Sequence, residues 1–303
     1  MLEVRKEIIV KHKLSQIIRK NLSGWLVMLP ALILFAFFVW VPLLESIRLS
    51  LYSARGMTSV AFVGLKNYID VFHHPDFLPA IRNTFQYTFF SIIIGFFIPI
   101  IMAILMNELV HAKSLFRVGT YFPNIVPGLA TVLMWGFILK PGQTGVLNII
   151  LGHLGVAPQI WLSNPKITIP LIVFTMTWKG AGATALIYLA ALQGVNPELY
   201  EAAIIDGAGI WKRVVHVTLP NLHNLVRTLL ILQVISVFQI LYEPLVMTNG
   251  GPNDASISIM QLVYKYAFEQ FDYPKAAAVS VIISVFLIIL TAIYNKVSKE
   301  KDM

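Results

Sequence analysis

Six long apolar runs decide what this chain can become. They fall at roughly 25–47, 84–107, 119–139, 168–192, 222–247 and 276–297. Each has the about 20 mainly apolar residues that a helix needs to cross a hydrocarbon core of about 30 Å. A membrane barrel strand would need only about ten residues of alternating polarity, so runs this long and continuous are expected to be helices. Composition agrees: of 303 residues 57% are hydrophobic and only 13% charged, against about 25% charged in a soluble domain. A soluble globular chain and a disordered one are excluded. The expectation is an all-α polytopic membrane protein with six transmembrane helices. Its parts would be an N-terminal segment 1–24, a first helix 25–47, an outer loop 48–83, a core of five helices over 84–297 and a tail 298–303. The first run exceeds the 7–15 residues of a signal-peptide core and no clear small-residue cleavage site follows, so it is expected as a retained span.

The formal net charge of +8 invites a nucleic-acid reading, but position argues for topology. Fourteen of the 23 Lys and Arg fall in the two ends and the loops on their side, eight in the opposite loops, and Lys179 inside the fourth run. Basic residues collect on the cytoplasmic side of membrane proteins. Both termini are therefore expected in the cytoplasm, with the lipid bilayer, and not nucleic acid, as the partner of this charge.

Several chemistries are absent. There is no Cys, hence no disulfide, thiolate metal site or thiol nucleophile. His73, His74 and Asp76 could suggest a metal, but adjacent histidines do not share a helix face, and a solvated loop with no metal is expected. No phosphate-binding Gly-x4-Gly-Lys-Ser/Thr loop occurs, so no nucleotide cofactor is expected. His153, His216 and His223 are scattered, and no nucleophile–base set is visible, so no catalytic residue and no enzyme activity are expected.

Polar residues within spans are costly and usually face a cavity or a neighbouring helix. Lys179, flanked by Trp178 and Gly180, either reaches backbone carbonyls at a helix break or borders a solute path. The fifth run carries Gln233, Ser236, Gln239, Tyr242 and Glu243. Positions 236, 239 and 243 would share one face of a continuous helix, and amides and hydroxyls beside an aromatic suit a sugar as well as they suit interhelical hydrogen bonds. Pro30, Pro42, Pro99, Pro127, Pro170 and Pro244 are either ordinary kinks or hinges.

The segment 193–221 stands apart from the other loops. Asn196 is a good N-cap and Pro197 suits the first helical position. Gly207 can take the left-handed conformation that stops a helix. A second helix is expected over Gly209–Thr218, with Leu219–Pro220 turning the chain into the next span. The small Ala202 and Ala203 and the large Trp211 make either a docking surface or an amphipathic helix lying on the bilayer.

Here Glu201, Ala202, Ala203, Asp206, Gly207 and Ala208, followed by Pro220, resemble the EAA loop of ABC importer permeases. Thr248, Asn249, Gly250, Gly251 and Pro252 resemble the turn of that family's carbohydrate branch, the maltose/glycerol-phosphate type. Asn67–Tyr68, Asn83–Thr84, Tyr121–Pro123 and Trp178–Gly180 resemble it as well. One difference lies in Phe238–Pro244, where Tyr242 stands in place of the branch's usual acid, with Glu243 beside it. The resemblance covers about residues 25–297. It implies a type I ABC importer permease fold in a bacterial inner membrane. It also implies a second homologous permease in a heterodimer, two copies of a cytoplasmic ATPase, an extracytoplasmic solute-binding protein, and a sugar or oligosaccharide as solute. In that family the loop docks the ATPase, which assigns Glu201, Ala202, Ala203, Asp206, Gly207, Ala208 and Trp211 to coupling. Trp178, Lys179, Ser236, Gln239, Tyr242 and Glu243 are the candidates for the solute path. The alternatives are a self-sufficient secondary transporter or channel, which should show paired intramembrane acids or inverted halves, and a permease for a solute such as a glycerol phosphoester.

Overall fold

The computed structural model describes residues 22–55, 58–108 and 113–301. The expected N-terminal segment 1–24 lies outside the described residues up to residue 21, as do the last two residues of the tail 298–303. Five helices are long and apolar enough to cross a membrane, and a sixth span arises if one bent pair is counted together.

Helix α1 (Gly24–Ser50) contains a π turn at Ala36–Trp40. It is apolar throughout up to Leu44, Glu45 and Arg48 form an exposed ion pair in its last turns, and among its described residues only Ser50 is buried. Its final part, Val41–Ser50, packs on the last helix, α12 (Tyr273–Lys301). The stretch after α1, expected as an outer loop over 48–83, carries structure of its own. Strands β1 (Tyr52–Arg55) and β2 (Thr58–Phe62) pair antiparallel, with Tyr52 opposite Phe62 and a bulge between Ser53 and Ala54. Helix α2 (Lys66–Phe72) follows. Asn67 fixes the corner, its amide donating to Ser50 O at 2.8 Å and Tyr52 O at 2.9 Å, while Tyr68 OH shares a 2.7 Å bond with Ser50 Oγ. On the outside of α2, Lys66 donates to Asp70 at 2.9 Å and holds its carboxyl below the usual carboxylate range. His74 Nδ1 accepts from the Asp76 N–H at 3.2 Å, and the Asp76 carboxylate pairs with Lys265 at 3.1 Å.

Helix α3 (Phe77–Glu108) starts seven residues earlier than the expected 84 and holds a π turn at Ser91–Phe96. The run expected as one span over 119–139 is instead two helices, α4 (Lys113–Ile125) and α5 (Gly128–Ile138), meeting at 93°. Pro127 sits at the corner with extended backbone, and a proline drives the residue before it out of the helical region. Helix α6 (Val146–His153) is short, and α7 (Thr168–Gln193) matches the expected fourth span. Helix α8 (Pro197–Ile205) precedes α9 (Ile210–Phe238). The expected separate helix over Gly209–Thr218 and the turn at Pro220 are both overturned, because α9 runs through them without a break. A π turn at Val214–Thr218 carries the Leu219 N–H to Val214 O, five residues back, and this wider turn leaves room for the proline ring at the next position. The expected fifth span 222–247 is likewise corrected: α9 ends at Phe238, and α10 (Tyr242–Thr248) is a separate short helix. Helix α11 (Ile259–Tyr264) continues as a π turn to Glu269 before α12.

Helices α3 and α7 form the central pillar. Ile100, Ala103, Tyr188 and Leu189 pack with Leu222 of α9, and further along the same pillar Tyr87 packs with Ile169, Ile172 and Val237. A separate apolar cluster joins α2, α11 and α12 through Val71, Leu262, Tyr266 and Val279. Helix α4 lies so close to α7 that a Cβ at Gly182 would collide with Thr120 O. Small residues permit this approach between membrane helices.

Candidate functional site

The segment between α7 and α9 is locally determined. Asn196 Oδ1 accepts from the Glu198 N–H at 3.1 Å, capping α8, and Pro197 occupies its first turn. At the other end Gly207 has φ +73°. The Ala208 N–H bonds Ala203 O at 2.8 Å and the Gly207 N–H bonds Ile204 O at 3.0 Å, the paired closure of a Schellman motif. Tyr200 OH meets Thr218 Oγ1 at 3.2 Å and ties α8 to α9. The start of α9 is tied to the end of α3 by Arg213 and Glu108, 3.7 Å apart. With its own ends satisfied, α8 buries no residue. Ile204 is 55%, Ile205 86% and Trp211 79% exposed. Glu201, Ala202, Asp206 and Gly207 are exposed beside them, with Ala203 and Ala208 half-buried. A helix–break–helix thus presents apolar and acidic side chains outward, and none of the described residues buries them.

A cavity of about 280 Å³ lies between α3, α7 and α9. Ser91, Gly95, Thr177, Gly180, Thr184, Gln233 and Ser236 supply its small and polar lining, and Tyr188 closes one wall. The Gln233 amide donates to Ser91 O at 2.8 Å and Ser91 Oγ at 2.7 Å. The lining carries no ionised side chain, and Phe96, Pro99, Met176, Leu229, Leu232 and Val237 make the rest of the wall apolar.

Lys179 is half-buried and donates from Nζ to Val126 O at 2.5 Å, at the corner between α4 and α5. The backbone carbonyl freed by the 93° bend is satisfied in this way, as membrane helices require. Trp178 stands edge to face with Trp135, ring centroids 5.6 Å apart. Ser236, Gln239 and Glu243 do not share a helix face, because α9 stops between the first two. Gln239 and Tyr242 are exposed, and Glu243 is half-buried within electrostatic reach of Lys179.

The turn after α10 is built inward. Asn249 (φ 49°) and Gly250 (φ 82°) are left-handed. Gly251 and Pro252 are half-buried, and Ser256, Ser258 and Gln261 behind them are fully buried. Ser256 Oγ donates to Gly251 O at 2.6 Å. Helix α3 clamps the turn from the side: the Asn83 amide donates to Asp254 O at 2.6 Å and Ile257 O at 3.0 Å, and Tyr87 OH donates to Ser256 O at 2.9 Å.

Comparison with known proteins bears directly on these features. Residues 95–301 match the family described as binding-protein-dependent transport system inner membrane component. The chain belongs to this family. The permease is 31% identical over 291 residues to the probable ABC transporter permease protein YurN of Bacillus subtilis (strain 168), covering 93% of this chain and 99% of the relative. It is 32% identical over 287 residues to the trehalose/maltose transport system permease protein MalF of Thermococcus litoralis, covering 93% and 95%. A chain of a bacterial ABC transporter involved in the import of the acidic polysaccharide alginate superposes with a TM-score of 0.83 at 24% identity, over 95% of this chain and 99% of that one. The permease therefore has the ABC importer permease fold and is a multi-pass membrane transport subunit.

In the permease the sequence-predicted residues do not form one site. Glu201–Ala208 and Trp211 come together on one surface, Asn249–Pro252 on the turn after α10, with Asn249 exposed and Gly250 buried, and Trp178 and Lys179 at the α4–α5 corner. Of the path candidates, Ser236 alone lines the central cavity. Ser91, Thr177 and Thr184 line it too and were missed, because single Ser or Thr residues in apolar runs carry no sequence signal of their own. Their common facing toward Gln233 arises only when three helices meet.

Proposed function

We propose that this permease is one of two transmembrane subunits of an ATP-driven, binding-protein-dependent importer of a sugar or oligosaccharide. It pairs with a second, homologous permease and with two copies of a cytoplasmic ATPase, and an extracytoplasmic binding protein delivers the solute. Both termini face the cytoplasm, and the membrane is a bacterial inner membrane. The ATPase is held by Glu201, Ala202, Ala203, Asp206, Gly207, Ala208 and Trp211. Solute passes along the cavity at Ser236, with Trp178, Lys179, Gln239, Tyr242 and Glu243 bordering the route. The chain itself performs no catalysis.

One observation carries this reading: Trp211, on the exposed surface it forms with α8, lies at the start of α9, and α9 runs unbroken to the cavity it lines at Gln233 and Ser236. A push at one end of a continuous helix is delivered to the other. Relatives named for transport of trehalose/maltose, of lactose and of arabinooligosaccharides support the carbohydrate class. The neutral, hydroxyl- and amide-bearing lining agrees with it.

The test is purification from the native host through a C-terminal tag in mild detergent, with quantitative mass spectrometry. A second permease and two ATPase copies per tagged chain are expected. A homo-oligomer without ATPase would overturn the reading and bring forward a self-sufficient transporter.

A further inference from the structure

Resting on the importer reading, we propose that Gln233 is a positioning residue: a latch between α9 and the π turn of α3 that opens and re-forms in each transport cycle. Gln233 lies 22 residues after Trp211 on the same unbroken helix, about 33 Å along its axis at 1.5 Å per residue. Its amide donates to both the carbonyl and the hydroxyl of Ser91, the first residue of the π turn Ser91–Phe96. A π turn shifts local backbone groups out of the regular ladder and recurs where helices adjust. Gly95, in the same turn, makes the approach possible. A Cβ there would stand 2.9 Å from Gln233 Nε2 and 3.1 Å from Thr177 Oγ1. Three helices thus meet through one small polar knot, and it forms part of the wall of the 280 Å³ cavity.

The placement separates a latch from a static bond. A neutral hydrogen bond between membrane helices is weak enough to exchange during ATP-driven motion, yet it biases a two-state equilibrium severalfold. The cavity offers the released amide room to swing. The latched form, in which the Gln233 amide donates to Ser91, is the resting form of the cycle. Movement of the α8–Trp211 surface reaches Gln233 through α9 and draws the amide off Ser91.

The chain has no Cys, so the double variant Ser91→Cys with Gln233→Cys carries the only two thiols of this subunit. The complete transporter in nanodiscs is treated with a short bifunctional methanethiosulfonate, and the bridged peptide is quantified by mass spectrometry. Bridging is expected in the resting complex and should fall at least about threefold when binding protein, ATP and vanadate trap the other state. In parallel, Gln233→Leu should raise ATP turnover without binding protein about fivefold, the bias of one hydrogen bond. Equal bridging in both states, with transport intact in the wild-type complex, would overturn the latch and leave the importer reading standing. A wild-type complex without ATP-dependent uptake would overturn both.

Discussion

The segment 197–218 and the turn 248–261 each stop a short helix at a left-handed residue, Gly207 and Asn249, and they use their side chains in opposite directions. In the first, backbone groups close on themselves through the Asn196 cap and the Gly207 stop, and the side chains of Ile204, Ile205 and Trp211 are left outside. In the second, the carbonyls of Ser256 and Ile257 are left to another element, and Asn83 and Tyr87 of α3 reach across to them, with Asn83 donating to Asp254 O as well. A surface whose local structure is self-sufficient keeps its side chains free for a partner. A turn whose structure depends on its neighbours has committed its groups to the fold. Substitutions in the first should therefore change assembly and spare stability, and those in the second should do the reverse.

The largest expected effect is at Gly207. Its φ of +73° is strained for any residue with a Cβ and most of all for a β-branched one, although open space surrounds the position. Gly207→Val should reduce recovery of the ATPase in co-purification at least about tenfold while membrane insertion is unchanged. Gly207→Asn, which tolerates the left-handed region, should retain most of the binding. Full ATPase recovery with Gly207→Val would remove the coupling assignment.

Asn83 provides the opposite case. Asn83→Leu leaves the Ile257 carbonyl without its donor in a buried site and Asp254 O with only the Ile257 N–H, at a cost of about 2 kcal/mol. The midpoint of thermal unfolding in detergent should fall by several degrees, with the ATPase still bound at the lower temperature. Loss of the ATPase with no change in that midpoint would break the comparison.

Trp211→Ala comes next. The side chain is 79% exposed, so its removal costs this chain little. At a docked interface a buried Trp contributes about 2 kcal/mol or more, or about thirtyfold in affinity. Titration of the isolated ATPase against the permease pair should show that weakening with an unchanged unfolding midpoint.

How far these features can be read from sequence depends on whether they are local. The spans were legible because an apolar run of about 20 residues has few other uses. The Asn196 cap and the Gly207 stop were legible because each acts within five residues of itself. Prolines were not: Pro30 and Pro123 sit inside intact helices, whereas Pro127 marks a 93° corner. What differs at Pro127 is the support from outside, the Lys179 ammonium on the exposed Val126 carbonyl. Pro220 was misread for the converse reason, since a π turn absorbed it and α9 continued. The expected common face of Ser236, Gln239 and Glu243 is lost because α9 ends at Phe238 and Tyr242 starts a separate helix. The central cavity was legible only at Gln233 and Ser236, while its other walls belong to helices more than forty residues away in sequence.

The smallest predicted effect is also the closest control, because it compares the same chemistry in both regions. Ser258 and Asn196 are each N-caps whose side-chain oxygen accepts a backbone N–H, from Gln261 at 3.0 Å and from Glu198 at 3.1 Å. Ser258 is fully buried and its hydroxyl also donates to Ile240 O at 2.7 Å. Ser258→Ala therefore strands two groups that water does not reach and should cost about 1–2 kcal/mol. Asn196 is exposed, and water replaces its lost bond, so Asn196→Ala should cost about 0.5 kcal/mol and leave the unfolding midpoint within error. Its effect should appear instead as a severalfold faster release of the ATPase, because a frayed first turn of α8 no longer holds the docking surface in one shape. Equal shifts in the midpoint for the two variants would mean that α8 is covered in the assembled fold, and that its outward residues are committed in the same way as those of the turn.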